Sequence, residues 1–256
     1  MTEPHSARPP HAVVDIGSNS VRLVVYDGLD RAPFPRFNEK SLCRLGAGLA
    51  ETGELSADGF RRTLAALRRF AAVAGAMDVP GIDVIATEAV RRASNGGALV
   101  AAIERETGLA VRIISGAEEA RYAALGVIAG FYRPAGVVGD MGGGSLEVAT
   151  IAEGRVGEGS ASMPLGALPV QALLTQSSVE ARRRVDALLA ESLPPDFRRA
   201  TFYAIGGGWR AFARAHMLSV DAPVRVAHGY ALDASVAREF AKTLWRPAVG
   251  RSPEGR

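Results

Sequence analysis

An internal repeat constrains the fold of this chain more than any other feature. VVDIGSNSVRLVV, which begins at Val13, aligns with VGDMGGGSLEVAT, which begins at Val138. Each copy is an apolar run that ends in an acid, followed by a turn with glycine and a second alternating run, so each predicts strand, turn and strand. Two copies predict an internally duplicated α/β protein with two similar lobes that bind a phosphorylated ligand between them.

The second turn has the composition of a phosphate-binding loop. Gly142, Gly143 and Gly144 let backbone N–H groups converge on an anion without obstruction by Cβ atoms. Asp140 stands beside this loop and would repel a phosphate unless a cation lay between them, which predicts a hard, oxygen-liganded ion such as Mg²⁺. The matched position that follows each turn is Arg22 in the first copy and Glu147 in the second.

Composition excludes several classes of protein. The 256 residues are 48% hydrophobic and 22% charged, which suits one large or two modest globular domains. The single cysteine, Cys43, excludes an internal disulfide and is expected to be buried and inert, and the four histidines have no zinc spacing. Without a signal-peptide pattern or a membrane-length apolar run, we expect a cytoplasmic, soluble protein with no membrane partner.

The basic residues are almost all arginine, and Lys40 and Lys242 are the only lysines. A polyanionic substrate would explain this ratio, but codon composition is the favoured explanation. No basic stripe with interleaved aromatic residues is present, so nucleic acid is a weak option. Individual arginines therefore count only where a motif places them.

Periodicity predicts further elements around the repeats. Residues 34–45 predict a third strand and residues 56–76 an amphipathic helix with an exposed arginine face. A strand over 82–86 leads into a helix with Thr87 as its N-cap, the edge at which open α/β sheets bind ligands. One of Arg91 and Arg92 can point at a phosphate there, and the spacing does not choose between them.

A capping box singles out one glutamate. Ser115 and Glu118 have the spacing in which each side chain binds the other's backbone amide, so Glu118 has a structural task. Glu119 lies about 100° further round the helix and is free for chemistry. The alternative is that an acid in a first helical turn only complements the helix dipole.

The second half predicts a strand over 155–163, helices from Pro164 and over 178–189, and a strand over 202–205. That last strand runs into Gly206, Gly207 and Gly208, followed by a helix from Trp209. The segment GGGWRA fits a dinucleotide fingerprint only loosely and lacks its acid, so we interpret it as a third glycine turn at the phosphate site.

Five segments in order, DIGSNSVRL, ATEAVRRA, ISGAEEARY, DMGGGSLEV and AIGGGWRA, resemble the exopolyphosphatase/guanosine pentaphosphate phosphatase family over about residues 12–230. The resemblance implies magnesium-dependent hydrolysis of a terminal phosphoanhydride, with Glu119 as catalytic base. It places Asp140 and Glu147 at the metal and the water, Asp15 in support of the metal, and Arg91 at the terminal phosphate. In that mechanism Arg22 joins Arg91 in neutralising the phosphate oxygens. The residues implied for the phosphate cradle are Ser18, Asn19, Ser20, Gly143, Gly144, Ser145 and Gly207.

The resemblance also implies the fold class: α/β, with two actin-like (ribonuclease H-like) lobes of mixed sheets flanked by helices. We expect a disordered leader over 1–11, lobes over 12–130 and 131–246, and a tail over 247–256. Family members ordinarily continue past a segment like His228-Gly229-Tyr230, so the second lobe is expected to be incomplete at its C-terminus. A fragment, a frameshifted gene and a natural short form all remain open. A homodimer is an expectation from the resemblance alone.

The preferred function is an exopolyphosphatase that releases orthophosphate from inorganic polyphosphate. Guanosine pentaphosphate is the alternative substrate within the class, and no sequence feature separates the two. A kinase of the same superfamily would need an adenosine pocket. From another class, a non-catalytic phosphate or nucleotide sensor, or an inactive truncated homologue, stays open.

Overall fold

The computed structural model describes residues 8–31, 33–193, 197 and 201–244. The predicted leader and tail lie largely outside these ranges. The chain divides into two units, Met1–Gly206 and Gly207–Arg256. The predicted domain bounds, 12–130 and 131–246, stay a prediction.

The first sheet has five strands in the order β3-β2-β1-β4-β5. Strands β1 to β3 pair antiparallel, whereas β4 and β5 continue the sheet parallel to β1. The predicted strand, turn and strand of the first repeat is confirmed, with the turn at residues 17–19. The strands are β1 (His11–Ile16), β2 (Ser20–Tyr26), β3 (Pro35–Leu42), β4 (Gly81–Ala86) and β5 (Val111–Ile113).

Helices cover one face of this sheet. The helix predicted over 56–76 is confirmed as α2, and the hydroxyl of its N-cap Ser56 accepts a hydrogen bond from Gly59 N. Leu67 and Phe70 of α2 are buried against alternate residues of β1 and β2, while the predicted arginine face is exposed. The other sheet face carries exposed polar residues. The four helices of this part are α1 (Leu49–Thr52), α2 (Ala57–Ala76), α3 (Glu88–Arg92) and α4 (Gly96–Thr107).

The second sheet repeats the first in strand order and register. Its order is β8-β7-β6-β9, with β6 antiparallel to β7 and parallel to β9. Asp140 lies opposite Glu147 just as Asp15 lies opposite Arg22, which confirms the duplication at the level of register. The residues described contain no counterpart of β5 in this sheet. The strands are β6 (Gly136–Met141), β7 (Leu146–Ala152), β8 (Arg155–Met163) and β9 (Phe202–Gly206).

The helix that follows the first sheet packs on the second sheet. It is α5 (Gly116–Gly130), and its Ala120, Ala124 and Val127 are buried against a cluster that includes Val138 of β6 and residues of β7. The first turn of α5 lies beside Arg91 of α3, and its later turns pack in the core of the second sheet. The helix therefore connects the two sheets. Helices α6 (Ala167–Gln176) and α7 (Ser178–Ser192) contribute apolar residues to a separate cluster with β7 and β8.

The unit Gly207–Arg256 contains α8 (Gly207–Ser219) and α9 (Ala234–Leu244). Helix α8 begins two residues before the predicted Trp209. Within this unit His216 packs edge-on against Phe240, with ring centroids 4.9 Å apart, and its Nδ1 lies 2.7 Å from the Tyr230 hydroxyl. Across the described ranges, no helix combines the length and apolar character needed to cross a membrane.

Candidate active site

The two repeat turns lie against each other. Each is closed by the same hydrogen bond, from Gly17 N to Ser20 O at 3.1 Å and from Gly142 N to Ser145 O at 2.9 Å. A Cβ atom added at Gly143 would lie 3.2 Å from Ser18 Cβ, which shows how closely the second turn approaches the first. The two copies of the sequence repeat therefore form a pair of turns in contact with each other.

Backbone N–H groups outside the turns donate to carbonyl oxygens within them and so fix the orientation of the turn peptides. In the second turn, Gly142 O and Gly143 O accept hydrogen bonds at 3.0 and 2.8 Å from the first amides of α6. In the first turn, Ser18 O accepts from Gly46 N at 2.8 Å. Because a trans peptide points its N–H opposite to its carbonyl, the amides that follow these carbonyls face away from those donors. Amides held in this way are what an anion-binding turn requires.

Glu119 occupies the first turn of α5 and is free of the capping box. The box is confirmed: Glu118 N donates to Ser115 Oγ at 3.2 Å, and Ser115 N donates to Glu118 Oε2 at 2.8 Å. The Glu119 side chain is only 19% exposed, and Arg91 Nη1 lies 3.8 Å from its Oε2. That oxygen has no hydrogen-bond partner among the described residues.

The surroundings of Glu119 raise its pKa strongly. Burial and the Glu147 carboxylate raise its pKa to about 8, with smaller contributions from Asp15 and Asp140, against the opposing effect of Arg91. Acids from both sheets therefore act on one carboxyl group. Either a bound cation or a proton relieves such a cluster.

The pKa values of Glu147 and Asp15 are also raised. Glu147 is 1% exposed, and burial raises its pKa to about 6, although the hydroxyls of Ser145 and Ser162 partly offset the effect. Ser162 Oγ donates to Glu147 Oε1 at 2.9 Å. Asp15 still reaches solvent, yet surrounding protein and the Asp140 carboxylate raise its pKa to about 6, while Arg22 and Lys40 act to lower it.

The structure separates the two arginines that the spacing left open. Arg91 donates from Nη1 to Ile114 O at 2.5 Å and faces Glu119. Arg92 instead donates to Glu88 Oε1 at 2.6 Å. Arg22 is exposed on the first sheet, where its Nε donates to Asn38 Oδ1 at 2.9 Å.

A buried glutamate that sequence reasoning missed lies between the turns. Glu88 is 5% exposed and accepts a hydrogen bond from Ser18 Oγ at 3.3 Å. A Cβ atom at Gly144 would lie 2.0 Å from Glu88 Oε2, so this carboxylate rests directly on the second turn. Gly144 is thus required for the contact of the two turns, whatever it does for a ligand.

The remaining predicted residues fall in several places. Asn19 belongs to the first turn, and its carbonyl accepts from Arg44 N at 2.9 Å. Ser20 opens β2, and Ser145 is buried at the end of the second turn. Gly207 opens α8 in the unit Gly207–Arg256, and its role in the cradle stays a prediction.

The acidic side chains could provide some, but not all, of the ligands of a cation. Among the described residues, no group of three or more histidine, cysteine or acidic side chains is arranged to hold a metal ion. Mg²⁺, however, keeps several waters and usually takes only one or two carboxylates together with substrate phosphates. The buried Glu147 Oε2, which has no hydrogen-bond partner among the described residues, and the mutual repulsion of the acids fit such an ion.

Paired glycine turns beside a cluster of acids and an arginine define a class of two-sheet α/β proteins suited to phosphate ligands. Residues 24–249 match the sequence model of the Ppx/GppA phosphatase family. The chain belongs to that family.

Curated relatives are exopolyphosphatases. Exopolyphosphatase 1 of Mycobacterium leprae is 29% identical over 199 residues, 77% of this chain and 58% of the relative. Exopolyphosphatase 1 of Mycobacterium tuberculosis is 31% identical over 189 residues, 70% of this chain and 55% of the relative. The chain thus spans a little over half the length of these relatives.

Solved structures share the fold. An exopolyphosphatase from Cytophaga hutchinsonii superposes with a TM-score of 0.79 at 23% identity, over 92% of this chain and 79% of that one. The Aquifex aeolicus member of the Ppx/GppA family gives 0.67 at 28% identity, over 84% and 71%. The predicted fold class, α/β with mixed sheets flanked by helices, is confirmed.

Proposed function

We propose that the protein is an exopolyphosphatase that hydrolyses the terminal phosphoanhydride of inorganic polyphosphate and releases orthophosphate. The observation that carries the proposal is Glu119, a largely buried carboxylate 3.8 Å from Arg91, on which the acids that flank the two glycine turns, Asp15, Asp140 and Glu147, act electrostatically. The names of the curated relatives favour polyphosphate as the substrate. Guanosine pentaphosphate has a similar phosphate end and is the competitor to test.

The reaction needs little covalent chemistry from the protein. Turn amides of Ser18, Asn19, Ser20, Gly143, Gly144 and Ser145 cradle the phosphate oxygens, with Gly207 as a further candidate. Arg91 and Arg22 neutralise their charge. Glu119 orients an in-line water and accepts its proton as the water oxygen bonds to the terminal phosphorus. The bond to the bridging oxygen breaks, and the shortened chain leaves with that oxygen.

We propose Asp140 and Glu147, supported by Asp15, as the residues that would hold Mg²⁺. A bound cation would neutralise charge on the phosphate oxygens and reduce the repulsion among the acids. A cytoplasmic location and a homodimer stay expectations.

The decisive experiment measures phosphate release from long-chain polyphosphate with Mg²⁺ or EDTA. We expect release that needs the metal and falls by about 10²- to 10⁴-fold in Glu119→Gln, because a general base contributes that much to the rate. Polyphosphate binding should persist in this variant.

Glu118→Gln is the matched control. It changes the adjacent glutamate, and glutamine can also serve in a capping box, so turnover should be retained. No release from folded wild-type protein would favour a phosphate sensor or an inactive homologue, and turnover that survives in Glu119→Gln would remove the base role. Faster hydrolysis of guanosine pentaphosphate in competition would reassign the substrate.

A further inference from the structure

Two cations stand in one row with Asp15 on the exposed face of the first sheet. Asp15 of β1 lies opposite Arg22 of β2, and Arg22 lies opposite Lys40 of β3. Residues opposite one another in antiparallel strands project to the same face, about 5 Å apart between neighbouring strands. Lys40 therefore begins about 10 Å from Asp15, across one intervening strand.

The strand order places these cations on the side of Asp15 away from Arg91. Reading across the sheet gives β3, β2, β1 and β4, and Arg91 belongs to α3, which follows β4. Positive charge thus lies on both sides of Asp15. A ligand with one negative group could use either side, whereas a linear polyanion can reach both.

The two cations are available to a ligand. Lys40 is exposed and forms neither an ion pair nor a hydrogen bond with the part of the chain that the structure describes. Asn38 holds the exposed Arg22 guanidinium over the same face. Lys40 and Arg22 both lower the pKa of Asp15, in agreement with their position beside it.

We propose that Lys40 binds internal phosphates of a polyphosphate chain whose terminal phosphate lies at Arg91 and Glu119, with Arg22 between these two places, and that Lys40 favours longer chains. This inference rests on the proposed function. In this arrangement the polyphosphate chain runs from the paired turns, across β1 and β2, toward the edge strand β3.

A purely structural explanation of Lys40 makes a different prediction. Strand β3 is an edge of the sheet, and lysine on an edge strand discourages pairing with another chain. If Lys40 only prevents pairing at this edge, its loss would promote aggregation without changing the preference between long-chain polyphosphate and tripolyphosphate. Chain-length preference is therefore the measurement that separates the two roles.

The test compares kcat and KM for long-chain polyphosphate and for tripolyphosphate. In Lys40→Gln we expect KM for the long chain to rise about five- to tenfold with kcat nearly unchanged, since the lost contact serves the bound substrate and the transition state alike. For tripolyphosphate, KM should change by less than about twofold. The difference should shrink as ionic strength rises, because the site is exposed.

The chain offers matched controls. Lys242→Gln removes the only other lysine, an exposed residue of α9 paired with Glu239, and should leave both substrates unaffected. Lys40→Arg keeps the charge and should restore the wild-type ratio. Equal losses for both substrates, or an unchanged ratio in Lys40→Gln, would overturn the proposal.

A binding arm separates this proposal from the proposed function. If wild-type protein releases no phosphate, equilibrium binding of long-chain polyphosphate to wild-type, Lys40→Gln and Lys242→Gln protein still decides. Weaker binding in Lys40→Gln alone supports the cationic row, and equal binding in all three rejects it.

Discussion

Glu119 is held in surroundings that oppose its charge. Its carboxyl is largely buried and faces other acids, and only Arg91 counteracts them among the groups that shift its pKa. Such a residue costs stability when it is ionised. A base that must take a proton from water needs a raised pKa, so the same cost suits the proposed reaction.

We predict that Glu119→Gln stabilises the ligand-free protein at alkaline pH. The pKa of Glu119 is raised from 4.5 to about 8 on folding. Below pH 4.5 the group is protonated in both states and costs nothing; as pH rises toward 8 the unfolded state loses its proton first, so stability falls. At pH 8 the variant should gain about 1–3 kcal/mol in free energy of unfolding.

Urea unfolding in EDTA at pH 5 and pH 8 measures this effect. The difference between variant and wild type should be small at pH 5 and grow with pH. A variant that is less stable than wild type at pH 8 would show that the Glu119 carboxylate stabilises the fold.

The two turns and α5 hold the site together. The turns touch through Ser18, Gly143 and Gly144, and Glu88 fills the space between them. Helix α5 starts beside Arg91 and ends in the core of the second sheet. The acids of the two sheets are therefore set at a distance that depends on these contacts.

We predict that Gly144→Ala destabilises the protein by about 2–4 kcal/mol, because the new methyl group would overlap a buried carboxylate. Its Cβ would lie 2.0 Å from Glu88 Oε2 and 2.7 Å from Ser18 Oγ. Gly142→Ala is the control, since its Cβ would meet only Ser145 O at 3.6 Å, and it should cost less than about 1 kcal/mol. Equal thermal stability of the two variants would refute the close turn contact.

Duplication supplies two similar sheets whose matched positions have diverged. Arg22 in the first sheet and Glu147 in the second occupy the same register, so one sheet brings a cation and the other a buried acid. The result is a site with net negative charge beside loops suited to anions, an arrangement that favours a bridging cation.

We predict that Mg²⁺ raises the melting temperature of the protein at pH 8 and much less at pH 5. Near pH 5 the raised pKa values of Glu119, Glu147 and Asp15 leave these groups largely protonated, so they attract the cation weakly. At about ten times its Kd, Mg²⁺ should add about 1.4 kcal/mol, or roughly 2–4 °C.

Scanning calorimetry with Mg²⁺, or with NaCl at equal ionic strength, checks this prediction. Glu147→Gln should reduce the Mg²⁺ effect while glutamine still accepts the hydrogen bond from Ser162. A Mg²⁺ shift of equal size at both pH values would argue against binding by these acids.

Local signals predicted much of this molecule. Alternating strands around the repeat turns, the Ser115 capping box and the arginine face of α2 all depend on residues close in sequence, and the structure confirms them. Glu119 was singled out because the box occupies its neighbour.

Contacts made through space were not predictable in this way. Local spacing could not choose Arg91 over Arg92, because the choice depends on α5 meeting α3. Glu88 and Ser162 were missed since their partners lie 70 and 15 residues away. Lys40 carried one signal, its rarity among so many arginines, but only strand register places it near Asp15.

The position of α5 has a consequence for synthesis on the ribosome. Its apolar stripe of Ala120, Ala124 and Val127 is translated before the strands it covers, and β9, the parallel neighbour of β6, follows only at residues 202–206. Long-range pairing of this kind is slow, and the core that α5 joins is complete only when Tyr203 and Ile205 of β9 have been added, about 75 residues after the helix ends.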